Sequence, residues 1–140
     1  MPWTFPANDG RCTILSQLIN VQPGCAAMGL HRDGSYIQLD LHEQTGLDLE
    51  VGAIWACQDF TDAVGATRVV LGSHTWPRFR MNKERDYPDV PDVAAEMPAG
   101  SCVIYLGQTW HAAGAIIAMG GAVIILDAPH YILYGETLMQ

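Results

Sequence analysis

Short runs of branched aliphatic and aromatic residues, each closed by a turn-forming cluster and recurring about every ten residues, restrict what this chain can fold into more than any other feature. Residues 13–21 read TILSQLINV and stop at Gln22-Pro23-Gly24. Comparable runs occupy 34–41, 49–56, 66–71, 101–106, 122–126 and 130–134, separated by clusters such as Asp62-Ala63-Val64-Gly65 and Pro98-Ala99-Gly100. No stretch keeps a helical period over three turns, so the pattern predicts an all-β sandwich or barrel. One segment departs from it. Residues 75–92 are polar, hold most of the basic side chains and read as a long surface excursion between strands. There is no internal repeat and no low-complexity tract.

With 140 residues, 49% of them apolar, the chain has the material for one packed core, and residues 1–140 are read as a single domain. Fifteen acidic against seven basic side chains give a net charge of −8, which opposes the counterion release that drives nucleic-acid binding. A small molecule is the expected binding partner, with no nucleic acid and no membrane. Beyond Arg85 there is no Lys or Arg at all. Cys12, Cys25, Cys57 and Cys102 lack the paired short spacings of zinc sites or disulfide scaffolds and are expected to be reduced, mostly buried thiols. No secretory leader opens the sequence and no apolar run is long enough to span a bilayer, so a cytoplasmic protein is expected.

His31-Arg32-Asp33 places two metal-competent side chains at i and i+2, which project to one face of an extended chain while Arg32 points away. Joined by a third imidazole from elsewhere in the barrel, they would make the two-His, one-carboxylate facial arrangement of non-heme iron. By itself the triplet carries little, because five His and ten Asp in this chain give about 0.4 such pairs by chance. A polar pair in a solvated turn is the competing reading, given the Gly34-Ser35 that follows.

The surrounding residues add the missing context. Leu30-His31-Arg32-Asp33, Ile54-Trp55-Ala56, Asp59-Phe60-Thr61, Gly65-Ala66-Thr67-Arg68-Val69-Val70, Gly72-Ser73-His74, Trp76-Pro77, Met97-Pro98-Ala99-Gly100-Ser101 and Trp110-His111 resemble, in order and spacing, the phytanoyl-CoA dioxygenase family. The similarity runs from about Gln17 to about Ala115 and is nearest to branches that oxidise secondary metabolites. The resemblance implies a double-stranded β-helix, the jelly-roll or cupin-like barrel, here truncated at its N-terminus relative to the family. It implies an enzyme that uses Fe(II) and 2-oxoglutarate, with His31, Asp33 and His111 as metal ligands and catalytic residues and with Thr67 on the cosubstrate. His74 is read as structural, and His42 and His130 as ordinary histidines. Arg68 is read as an ion-pair partner facing away from Thr67, Trp55, Trp76 and Trp110 as core or mouth residues, and 75–92 as a lid.

Three positions depart from the family. The arginine that pairs with the far carboxylate of 2-oxoglutarate is replaced by Met119, a contacting glutamine by Met28, and an asparagine by Ile116. Arg78 or Arg80, or a partner subunit, would have to supply the cation. Two further readings therefore accompany the dioxygenase: a catalytically impaired barrel acting as a partner subunit, and a metal cupin that does not use 2-oxoglutarate. The short chain leads us to expect a homodimer, a heterodimer with a homologue, or a truncated product. A buried carboxylate without its cation costs on the order of 3–5 kcal/mol. Met119→Arg is accordingly expected to tighten 2-oxoglutarate binding by roughly two to three powers of ten, and calorimetric titration of parent and variant checks this.

Overall fold

The computed structural model describes residues 12–33, 44–45, 50–76, 83–118 and 122–131. Seven strands lie within them: β1 (Cys12–Val21), β2 (Val51–Ala56), β3 (Arg68–Val69), β4 (Val93–Ala94), β5 (Cys102–Leu106), β6 (His111–Ala112) and β7 (Ala122–Tyr131). The other regular elements are a 3-10 turn at Ser73–Thr75 and one helical turn at Lys83–Asp86. Every strand pairing is antiparallel. One sheet has the order β1-β7-β2-β5 and the other β4-β3-β6, so after β2 the chain passes to the second sheet, returns for β5, crosses again for β6 and returns for β7. Repeated exchange between two antiparallel sheets is the jelly-roll arrangement expected above.

The pleat sorts side chains as the alternation in the sequence requires. In β2, Gly52, Ile54 and Ala56 are buried, whereas Trp55 points outward. Its neighbours across the sheet put Val103 opposite Ile54 and Tyr105 opposite Gly52. Ile54, Ala56, Phe60, Ala66, Tyr105 and Ile116 form the core, with Val21, Val64, Ala94, Met97, Val103 and Ile124 packed against it, so both sheets contribute. On the outer face of the larger sheet the exposed Leu18, Ile125 and Trp55 stand in register as one apolar row across β1, β7 and β2.

Several expectations need correction. Trp55 lies on the outer face instead of in the core or the mouth, because it falls one residue out of phase with Ile54. The runs expected at 122–126 and 130–134 belong, as far as described, to the single strand β7, which continues through Pro129. The proline is tolerated there because β2 pairs only with 124–127, leaving one side of Pro129 free of a ladder. The run expected at 66–71 is regular only over β3, while β4 lies just beyond the polar excursion where no strand was expected. Cys25, Cys57 and Cys102 are free thiols as expected, yet Cys25 and Cys57 are exposed instead of buried. The run at 34–41 lies outside the described residues. Among those described, no helix is long and apolar enough to cross a membrane.

Arg68 takes the role expected of it. Its guanidinium donates from Nε to Asp92 Oδ2 at 2.7 Å, from Nη1 to Asp62 Oδ1 at 2.7 Å and from Nη2 to the Asp92 carbonyl at 3.1 Å, fastening β3 to the loop before β4. The hydrogen bond from Arg68 holds the Asp92 carboxyl below the usual carboxylate range, against a smaller opposing effect of burial. Such a depressed carboxyl stabilises the fold fully above its ordinary pKa of about 4 and loses that contribution as pH falls through the lower native value. Solvent screens these half-exposed partners, so Arg68→Met is expected to cost about 1 kcal/mol at neutral pH. Urea denaturation of parent and variant should show that difference shrinking as the solution is made strongly acidic.

Candidate metal centre

The site begins with two backbone hydrogen bonds. His31 N–H donates to the His111 carbonyl and His111 N–H to the His31 carbonyl, both at 2.9 Å, forming an isolated antiparallel bridge. Met28 N–H donates to the Ala113 carbonyl and Asp33 N–H to the Gly107 carbonyl, each at 3.0 Å, so residues 28–33 run along 107–113. On its other side His111 lies opposite Val69 of β3. The loop that carries His31 and Asp33 thus docks as an additional rung beside the smaller sheet.

On this frame His31, Asp33 and His111 bring one donor atom each to within 4.8 Å of one another. Asp33 stands between the imidazoles, with Oδ2 at 3.3 Å from His111 Nε2 and Oδ1 at 3.8 Å from His31 Nε2. The two rings are tilted, with centroids 4.6 Å apart. Each ring is steadied by its remote nitrogen: His111 Nδ1 lies 2.8 Å from the Thr109 carbonyl and His31 Nδ1 3.1 Å from the Gly29 carbonyl. An Nδ1 proton donated to a carbonyl leaves Nε2 with its lone pair free, which is the tautomer that ligates a metal. His111 is buried while His31 and Asp33 are half-exposed, so the cluster is closed behind His111 and open on the other two.

Electrostatics favour the ionised carboxylate. Burial pushes the Asp33 carboxyl up, but the hydrogen bond and charge of His111, the charge of His31 and the Tyr105 hydroxyl together bring it below the usual range. Burial likewise pushes the His111 imidazole down, and its contacts with Asp33 and Thr109, with the more distant charge of Glu50, turn the balance upward. A divalent cation between Asp33 Oδ2 and His111 Nε2 would answer the same carboxylate charge that these neighbours stabilise. Two imidazole Nε2 atoms and one carboxylate, each fixed by a further partner, suit Fe(II) with positions left for other ligands.

Tyr105 belongs to the site although sequence reasoning passed over it. Its hydroxyl donates to Asp33 Oδ2 at 3.3 Å and its ring lies 4.5 Å from that of His111, centroid to centroid. Burial and the nearby Asp33 charge push the phenol far above its ordinary pKa, so it remains a donor. The ring crosses the backbone of β2 at Gly52, where an added Cβ atom would overlap Tyr105 Cζ. A glycine inside an otherwise regular strand was the available sequence signal.

The remaining expected residues fall as follows. Thr67 is buried just before β3, two residues from Val69, and its carbonyl accepts from Ala95 N–H at 2.8 Å. His74 lies in the 3-10 turn, outside the three-residue group. Arg32 turns away from the ligands toward that same turn. Trp110 is buried next to His111, and Trp76 stacks on Tyr87 with centroids 3.8 Å apart. Met28 is exposed and Ile116 is in the core. Arg78, Arg80, Met119 and His42 lie outside the described residues, as does the side chain of His130. Gly52→Ala is expected to destabilise the protein by about 1–3 kcal/mol through overpacking against Tyr105. A smaller penalty in a Tyr105→Ala background, measured by denaturant titration, identifies that ring as the cause.

Known proteins resemble this chain in sequence and in fold. The sequence matches the family described as phytanoyl-CoA dioxygenase (PhyH) over residues 6–118. The multifunctional dioxygenase prhA of Penicillium brasilianum is 38% identical over 103 residues, which are 71% of this chain and 34% of that protein. The dioxygenase FUM3 of Gibberella moniliformis is 38% identical over 97 residues, 69% of this chain and 31% of that one. The chain thus spans about a third of the length of the curated relatives it matches. Among solved structures, the non-heme alpha ketoglutarate dependent carbocyclase SnoK from nogalamycin biosynthesis superposes with a TM-score of 0.67 at 23% identity, covering 81% of this chain and 48% of SnoK. AviO1 from Streptomyces viridochromogenes Tue57 gives 0.66 at 16% identity, covering 84% and 51%. These likenesses show the fold, and the match across most of the sequence establishes that this chain belongs to the phytanoyl-CoA dioxygenase family.

Proposed function

We propose that the chain carries the metal centre of an Fe(II)- and 2-oxoglutarate-dependent dioxygenase that oxidises a small apolar substrate, a secondary metabolite by analogy with its relatives. The observation that carries this reading is the convergence of His31, Asp33 and His111, with both imidazoles held at Nδ1 so that Nε2 faces the carboxylate. Iron bound there would supply oxygen activation coupled to oxidative decarboxylation of 2-oxoglutarate. The chain's own part is to fix the three donors, with Tyr105 restraining one carboxylate oxygen of Asp33. Burial of His111, Tyr105 and Trp110 keeps water from the rear of the centre, and the half-exposed side at His31 and Asp33 is where cosubstrate and substrate would enter. Thr67 is the candidate cosubstrate contact, on the family resemblance and its buried place near β3. Residues 75–92 are the candidate lid.

A second reading, a metal-binding barrel without 2-oxoglutarate turnover, is favoured by Met28 and Met119 at the cosubstrate positions. In that case a partner subunit, a second copy or a homologue, would complete the function, and the exposed row Leu18, Ile125 and Trp55 is a surface it would cover. Anaerobic addition of Fe(II) and 2-oxoglutarate separates the two. The first reading gives a weak visible charge-transfer band, and the second gives metal uptake without it. In either case His111→Ala is expected to abolish stoichiometric iron uptake, measured by elemental analysis after reconstitution, and to lower the melting temperature of the metal-loaded protein. Unchanged metal content in that variant would remove the centre from consideration.

A further inference from the structure

Ser73 carries no ligand, yet both ligand-bearing segments are tied to it. Its side chain is fully buried in the 3-10 turn Ser73–Thr75. Its carbonyl accepts from Nη2 of Arg32 at 2.9 Å, and Arg32 is the residue between His31 and Asp33. Its hydroxyl accepts from the Trp110 backbone N–H at 2.8 Å, and Trp110 immediately precedes His111. The same hydroxyl donates to the Val70 carbonyl at 2.7 Å, while Val70 N–H donates to the Trp110 carbonyl at 2.9 Å. The Arg32 guanidinium lies 5.5 Å from the centre of the Trp110 ring, so the neighbours of the two ligand segments also meet directly.

A buried hydroxyl that donates once and accepts once on fixed backbone groups has a single usable orientation. Its distances to both sides are then set together. We propose that Ser73 is a positioning residue of the metal centre, holding the His31–Asp33 segment through its carbonyl and the His111 segment through its hydroxyl, so that the three donors keep the separation a metal needs. This assignment rests on the metal-centre reading above. It differs from the direct contacts of Thr109, Gly29 and Tyr105, each of which steadies one ligand, because Ser73 acts on the spacing between two segments.

The test is an anaerobic titration with cobalt(II), read by its visible d–d absorption, on the parent, Ser73→Ala, Arg32→Met, their double variant and Thr75→Ala. Thr75 donates its hydroxyl to the Gly72 carbonyl at 2.8 Å within the same turn and touches neither ligand segment by that bond, so it serves as the control. Ser73→Ala and Arg32→Met are each expected to weaken cobalt binding about tenfold and to shift the absorption band, and Thr75→Ala to leave both at parent values. Once one arm is cut the other holds less, so the double variant should fall short of the product of the single effects. Should Ser73→Ala fail to fold, Arg32→Met, at a half-buried position, decides the matter. Parent affinity and an unchanged band in both single variants, whatever their melting temperatures, would overturn the role of Ser73 while leaving the metal centre intact. A parent that takes up no cobalt overturns the metal-centre reading and this assignment with it.

Discussion

The reciprocal backbone bridge between His31 and His111 is the contact on which the rest of the site depends. Closing a loop of about 80 residues costs roughly 4 kcal/mol in chain entropy alone, and two hydrogen bonds do not offset that by themselves. The larger sheet helps, since β1 and β7 enclose most of the described chain between them and bring its distant parts together before the bridge is made. A divalent ion held by residues from both sides of the bridge would add its binding free energy to the same closure. Fold and chemistry therefore draw on one contact.

Much of this was legible in the sequence. The strand runs around β1, β2, β5 and β7 show in composition because they are long enough for alternation to register. The pairing of His31 with Asp33 on one face follows from a two-residue period. By contrast, β4 and β6 are two residues each, shorter than any pattern, and the third candidate ligand, His111, came only from resemblance to a family. Ser73 and Tyr105 were unreadable as site residues because their roles arise from packing across sheets, for which the local sequence carries only the faint trace of Gly52. Trp55 shows the opposite failure: its hydrophobicity suggests burial, and its phase in β2 overrules that.

Charge is arranged with comparable economy. Among the described residues Asp33 is the carboxylate shared by two imidazoles and a phenol, and these contacts outweigh its partial burial in favouring the ionised form. Arg68 is committed to Asp62 and Asp92 on the far side of β3, and Arg32 to the turn at Ser73, so these two cations serve the framework instead of the open face of the centre.

Because both imidazoles hang from a single rung, misalignment there has no intermediate grades. A slip of one position would set Trp110 or Ala112 across from His31 and turn the ring of His111 to the opposite face of the ladder. One extra residue between Gly107 and His111, or between His31 and Asp33, would break the match between the two anchored ends of this stretch. The four residues from Gln108 to His111 therefore have a fixed count, set by the hydrogen-bonded ends on either side.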